Sequence, residues 1–244
     1  MDADDALHAL GELAAPQWGL FTTAQAGQWD VDRATLSRLT RRSLLRSLGH
    51  GVHALSSAEG GPLEDLRAAW LSTDRAHTAE ERLMTAPQVV VSHASAAALH
   101  GIGDLVPQAH QFTVTVRKQS RRHGVRFHRA ELTEDDIALV NGLPVTTVER
   151  TVADLARAGV EFGHLAAVVS DGLALPSARY SRMAEHLDPV ARRYDIASGE
   201  LMVDACLEEM GMPDGARELT ERALALAHRA STTTSTATSH RDVR

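Results

Sequence analysis

Between Leu20 and Leu55 the chain sets two short, capped helical segments ahead of an apolar hairpin, and few folds accommodate that order. Thr22 and Gln25 stand at the T-x-x-Q spacing of a capping box. There the hydroxyl accepts from the backbone N–H three residues on, while the glutamine reaches back to the cap's own amide. A helix therefore opens at Thr22 and runs to about Gln28. Trp29-Asp30-Val31 makes the turn, and Asp32 is a good N-cap for a second helix, Arg33 to Arg42. Val31 and Leu36 have the spacing of a hydrophobic staple. Leu44 to Leu48 and Val52 to Leu55 then flank Gly49-His50-Gly51, a turn suited to a two-stranded wing. Upstream, Leu7, Leu10 and Ala14 recur at helical spacing, giving a first helix to pack behind the pair. The set reads as a winged helix-turn-helix.

Charge indicates which face of this motif matters. The chain carries a formal net charge of -7, yet five arginines (Arg33, Arg38, Arg41, Arg42 and Arg46) and no carboxylate lie between Arg33 and Ser56. At 100° per residue Leu36 and Leu39 share the inward face. Ala34, Ser37, Arg38 and Arg41 project from the opposite one, with Arg33 and Arg42 on its flanks. Small residues let a helix approach base edges closely, and arginines fork onto guanine or clamp phosphates. The expected DNA contacts are thus Arg33, Ser37, Arg38, Arg41 and Arg42, joined by Arg46 and His50 from the wing. The alternative is a helical hairpin with a solvated arginine face. Helix, turn, helix and wing in sequence favours DNA.

The remaining pattern predicts an α+β chain: an N-terminal winged helix-turn-helix at 1–57, a mixed α/β domain at 62–230 whose C-terminal part is helical, and a disordered serine/threonine-rich tail at 231–244. Ser56 to Pro62 is the turn-rich boundary, with Pro62 fit to start a helix. Helices are expected at Leu63–Leu71, Thr78–Met84 and from a Ser92 cap to Leu99, closed by Gly101. Strands are expected at Gln88–Val91, Gln111–Val116 and Gly124–His128, the last two pairing across a basic loop. A hairpin turns at Asn141-Gly142. Helices follow at Val148–Ala158, Phe162–Asp171, Ser177–Leu187, Gly199–Met210 and Asp214–Ala230. No run of 18 apolar residues is present, and the acidic start Met1-Asp2-Ala3-Asp4-Asp5 argues against a secretory signal. The single Cys206 excludes a disulfide framework, which fits a reducing cytoplasm.

Other candidate chemistry is thin. Arg117, Lys118, Arg121, Arg122 and Arg126 form an acid-free basic segment that suits phosphates or an acidic partner surface, and equally a solvated loop. His93 and His100 are seven apart, a poor spacing for a metal pair, and no HExxH or CxxC accompanies them. No nucleotide-binding glycine loop or nucleophile elbow occurs, so neither metal nor cofactor is expected. A nuclease of the PD-(D/E)xK type needs an acid two residues before a lysine. The one lysine, Lys118, against 24 arginines, has none there. A metal-dependent enzyme would have to use Asp135-Asp136 or Glu208-Glu209, the adjacent acidic pairs of the second domain, and both read better as solvated helix ends. A ligand-responsive, stand-alone regulator stays open.

Three ordered segments resemble a known family: Leu20-Phe21-Thr22-Thr23-Ala24-Gln25-Ala26; Val91-Ser92-His93-Ala94-Ser95-Ala96-Ala97-Ala98-Leu99-His100-Gly101; and Gly142-Leu143-Pro144-Val145-Thr146-Thr147 followed by Arg150-Thr151-Val152-Ala153-Asp154-Leu155. Together they are similar to the AbiEi antitoxins of type IV toxin–antitoxin systems in their actinobacterial form, over roughly Leu20 to Ala158. The resemblance implies a winged helix-turn-helix that represses its own operon at inverted repeats, with DNA contacts on Thr35, Ser37, Arg38, Arg41 and Arg42. It also implies a second domain that counters a nucleotidyltransferase-like toxin, without catalysis.

Overall fold

A computed structural model describes residues 2–115 and 124–211. The basic residues Arg117, Lys118, Arg121 and Arg122, the helix expected at Asp214–Ala230 and the tail lie outside the described residues. Two compact units emerge: Met1–Val91 with Gln108–Val145, and Ser92–Pro107 with Thr146–Arg244.

The first unit begins with α1 (Ala3–Ala14), capped by Asp2, whose carboxylate accepts from the amides of Asp4 and Asp5. β1 (Leu20–Thr22), α2 (Thr23–Gln28) and α3 (Arg33–Arg41) follow, then β2 (Leu45–Gly49) and β3 (Val52–Leu55). The capping box forms: Thr22 accepts from the Gln25 amide at 3.1 Å, and Gln25 accepts from the Thr22 amide at 2.8 Å. Val31 and Leu36 both lie in the apolar core that α1 builds with Phe21, Ala26 and Leu39, so the staple is in place. Leu20–Thr22, read from sequence only as the approach to a helix, is a strand. It pairs antiparallel with β3, giving the order β1-β3-β2. Three residues are too short a run for period-two alternation, and all three are buried. The wing turn carries left-handed backbone at Gly49, His50 and Gly51 (φ 88, 53 and 75°). Glycine relieves the steric cost at two of those three positions.

α4 (Glu64–Leu71) starts two residues beyond Pro62, which sits in a turn rather than in the first helical turn. α5 (Ala79–Leu83) has a second capping box, from Thr78 and Glu81. A five-stranded sheet completes the unit: β4 (Val89–Val91), β5 (His110–Val114), β6 (Val125–Arg129), β7 (Ile137–Val140) and β8 (Leu143–Thr146), in the order β6-β5-β4-β8-β7. β5 and β6 do pair, but in parallel, with His110 opposite Val125 and Val114 opposite Arg129. A hairpin across the basic segment is therefore excluded, because parallel neighbours need a connection that returns the full strand length. Asn141 and Gly142 turn the β7–β8 connection with φ of 51 and 80°, the double left-handed signature of a type I′ turn.

The second unit is helical: α6 (His93–His100), α7 (Val148–Ala158), α8 (Phe162–Ala174), α9 (Tyr180–Ala191) and α10 (Gly199–Glu209). Ser92 occupies the N-cap position of α6 without bonding the helix amides. Its hydroxyl lies 3.0 Å from the His93 Nδ1 instead. α9 starts at Tyr180 rather than Ser177 and runs through Pro189. Val152, Leu165, Val169, Met183, Leu187, Met202 and Cys206 form the core, and burial pushes the Cys206 thiol up to about 12, which leaves it inert.

α10 packs on α9 at backbone distance. A Cβ on Gly199 would collide with the Ala184 carbonyl and fall 2.6 Å from the Asp188 nitrogen. Gly199→Ala should lower unfolding free energy by at least about 1–3 kcal/mol. Gly11→Ala, mid-helix with nothing within 4 Å of the new carbon, should raise it by roughly 0.5–1 kcal/mol. Urea titrations of both variants check the contrast.

Candidate nucleic-acid interface

The interface is built on α3. Asp32 caps it, its Oδ1 accepting from the Thr35 amide at 2.7 Å, and that bond holds the Asp32 carboxyl below its usual range. With Leu36 and Leu39 buried, Arg33, Ala34, Ser37, Arg38, Arg41 and Arg42 are all exposed on the opposite side. Arg33, Arg41 and Arg42 have no carboxylate partner among the described residues. Arg38 Nη2 donates to Thr35 Oγ1 at 3.2 Å, which braces its guanidinium along the helix. His50 stands exposed at the wing tip.

Two expected contacts are placed otherwise. Thr35 is buried (8% exposed), so it braces Arg38 rather than facing outward. Arg46 is turned back onto α4: Nη1 donates to Glu64 Oε2 at 2.8 Å and Nη2 to Glu64 Oε1 at 2.7 Å, with a further bond from Nη2 to the Ala58 carbonyl at 3.3 Å. The forked pair holds the Glu64 carboxyl below its usual range and raises the guanidinium further. The acid-free run ends at Ser56, and the chain folds back to bring in the first carboxylate of the next helix. Arg126 lies exposed on β6, the edge strand of its sheet, where charge also discourages edge-to-edge pairing.

Sequence reasoning missed a cavity of about 450 Å³ between α3, the start of α2 and the wing. Thr23, Ser37, Ser47 and His53 line it with Arg33, Arg41 and Arg75, and no carboxylate among the described residues does. His53 stacks on Phe21 (ring centroids 5.6 Å apart) and its Nε2 lies 3.0 Å from Thr23 Oγ1. Arg75 belongs to the α4–α5 loop, and no local pattern at that position signals a role.

The family-like segment on α7 is buried. Arg150 Nε and Arg157 Nη1 both donate to Asp154 Oδ1, at 2.9 and 3.0 Å, and the Thr146 and Thr151 hydroxyls lie 2.7 Å apart. Glu149 accepts from the Arg179 amide at 3.1 Å. His100 Nε2 lies 2.7 Å from the Thr146 carbonyl oxygen. These contacts brace the second unit, and of the side chains in them only Arg157 is exposed. Among the described residues no helix is long and apolar enough to cross a membrane.

The fold is thus that of a two-unit α+β protein whose first unit has the element order of a winged helix and an arginine-bearing third helix. Residues 88–204 match the family model of the AbiEi antitoxin C-terminal domain, from just before β4 to within α10, and that match supports an antitoxin role. No curated protein matches the chain. Among solved structures, the RV2827C protein from Mycobacterium tuberculosis is similar, with a TM-score of 0.52 over 84% of this chain and 81% of that one. At 18% identity the likeness is one of fold.

Burial pushes the imidazoles of His53 and His100 below their usual 6.5. Protons therefore prefer the unfolded chain. The stability from these neutral rings is fully present above pH 6.5 and is lost as pH falls through the lowered folded values. Glu64, whose carboxyl is held low by Arg46, adds a loss of the same sign at lower pH. The melting temperature should therefore fall between about pH 8 and about pH 5, and His53→Phe should flatten the upper part of that profile. A rise in melting temperature on acidification would contradict the assignment.

Proposed function

We propose that this protein is a DNA-binding autorepressor and the antitoxin of a toxin–antitoxin operon. The observation that carries the reading is the outer face of α3. Arg33, Arg38, Arg41 and Arg42 are exposed together there, without carboxylate partners among the described residues, on a chain of net charge -7. An exposed cationic face on an acidic protein favours a polyanion at that face. The family resemblance adds the operator, expected to contain inverted repeats, and a nucleotidyltransferase-like toxin encoded beside it. The antitoxin domain at 88–204 supports the toxin half of this reading. No catalytic step is required.

The test is titration of the purified protein against a duplex from upstream of its own gene and a scrambled duplex. With three to four arginines meeting phosphates, log K should fall against log[salt] with a slope of about -3 to -4. Arg38→Ala and Arg41→Ala, in the middle of the face, should each cost about 1–3 kcal/mol on the upstream duplex and relax sequence preference. Arg42→Ala, on the flank, should weaken both duplexes alike and reduce the slope by about one. Arg46→Gln should leave the slope unchanged and lower the melting temperature, because its charge is spent on Glu64. A slope near zero for the unaltered protein would refute the DNA half of the proposal. Failure of co-expression to relieve the growth arrest caused by the adjacent gene would refute the antitoxin half.

A further inference from the structure

The loop between α4 and α5 is outside the helix-turn-helix, yet its backbone is fixed by it. The Thr22 hydroxyl donates to the Arg75 carbonyl, and Gln25 Nε2 donates to the His77 carbonyl at 2.7 Å. Two residues on, the Ala79 amide donates to Gln17 Oε1 at 3.1 Å. Thr22, Gln25 and Gln17 are all fully buried, so these bonds are shielded from competing water. The residues that start α2 therefore also set where residue 75 stands. From that anchored backbone the exposed Arg75 side chain reaches the cavity between α3 and the wing, which Arg33 and Arg41 line from α3. Thr23, Ser37 and Ser47 add hydroxyls to the same wall, and no carboxylate among the described residues lines it. Arg75 has no ion-pair partner among the described residues.

Three guanidinium groups and several hydroxyls around an acid-free groove make a site for a phosphodiester: it offers forked donors to two oxygens and nothing that repels them. We propose that Arg75 clamps a backbone phosphate of bound DNA at this groove together with Arg33, on the flank of α3, carrying the interface beyond the helix-turn-helix. The proposal rests on the DNA-binding reading above.

The experiment is fluorescence anisotropy of the full chain on the upstream and scrambled duplexes across a salt series. It compares the unaltered protein with Arg75→Ala, Arg75→Lys and, as a charge control in the second unit, Arg192→Ala. Arg75→Ala should weaken both duplexes by the same factor, roughly three- to tenfold, and take about one off the salt slope. Arg75→Lys should recover most of the loss, Arg192→Ala should show none, and melting temperatures should stay level. Arg75→Ala with unaltered affinity and slope would overturn the clamp while leaving DNA binding by α3 intact. Weakening confined to the upstream duplex would overturn it too, by placing Arg75 on a base edge. If the unaltered protein binds neither duplex, the underlying reading fails and the clamp with it.

Discussion

The structure of the first unit turns on a buried pair of glutamines. Gln25 Oε1 receives both the Thr22 amide, at 2.8 Å, and Gln17 Nε2, at 3.0 Å, while its Nε2 donates to the His77 carbonyl. Gln17 Oε1 in turn receives the Ala79 amide. One network thus joins the short helical turn after α1 (Ala15–Gln17), the start of α2, and the approach to α5. A buried amide left without partners costs on the order of 1–3 kcal/mol, so each member holds the others in a single geometry. The position of α3 follows, because α2 and the Val31–Leu36 staple deliver it, and α2 is set at its first residue.

Local chemistry made most of this unit legible. The capping box at Thr22, the Asp32 cap, the staple and the Asn141-Gly142 turn are contacts within a few residues, and each appears where its spacing puts it. What sequence did not disclose is long-range. The Arg46–Glu64 fork spans 18 residues and the Thr22–Arg75 bond spans 53. The parallel pairing of β5 with β6 depends on the path of the chain between them rather than on either strand's pattern. Periodicity marked the exposed face of α3, whereas the family resemblance added Thr35 to the contacts, although its burial follows from the same helical wheel that buries Leu39.

The segments that carry the family likeness have a different physical character from those that carry the candidate interface. Along α7, Glu149, Arg150, Thr151 and Asp154 are all buried, and Asp154 is shared between two arginines at 2.9 and 3.0 Å. Losing one member of such a cluster strands a charge in low dielectric, which is a strong constraint on residue type. Recognisable motifs of this kind therefore report the fold of the segment that matches the antitoxin domain, and they say nothing about what its exposed surface meets.

Arginine performs nearly every cationic task here, since lysine occurs once, and the structure sorts the arginines by partner. Arg82 lies over the Trp70 ring at 3.4 Å and donates to the Trp70 carbonyl and Thr73 hydroxyl, and burial pulls its pKa down to about 10. Arg46 is spent on Glu64, Arg150 and Arg157 on Asp154, and Arg193 on the Arg157 carbonyl at 2.8 Å. A guanidinium that already satisfies a carboxylate or a carbonyl has little left to offer a phosphate, because moving it would expose the partner it leaves. Among the described residues Arg33, Arg41, Arg42 and Arg75 carry no such debt. They stand on one unit, two on α3, one at its C-cap and one on a loop anchored to α2, and three of them border the same groove. Counting positive charges along the sequence cannot separate the two sets. Arg126 and Arg192 are exposed as well, but Arg33, Arg41 and Arg75 converge on one groove, and that groove is where an acidic protein can meet an anion.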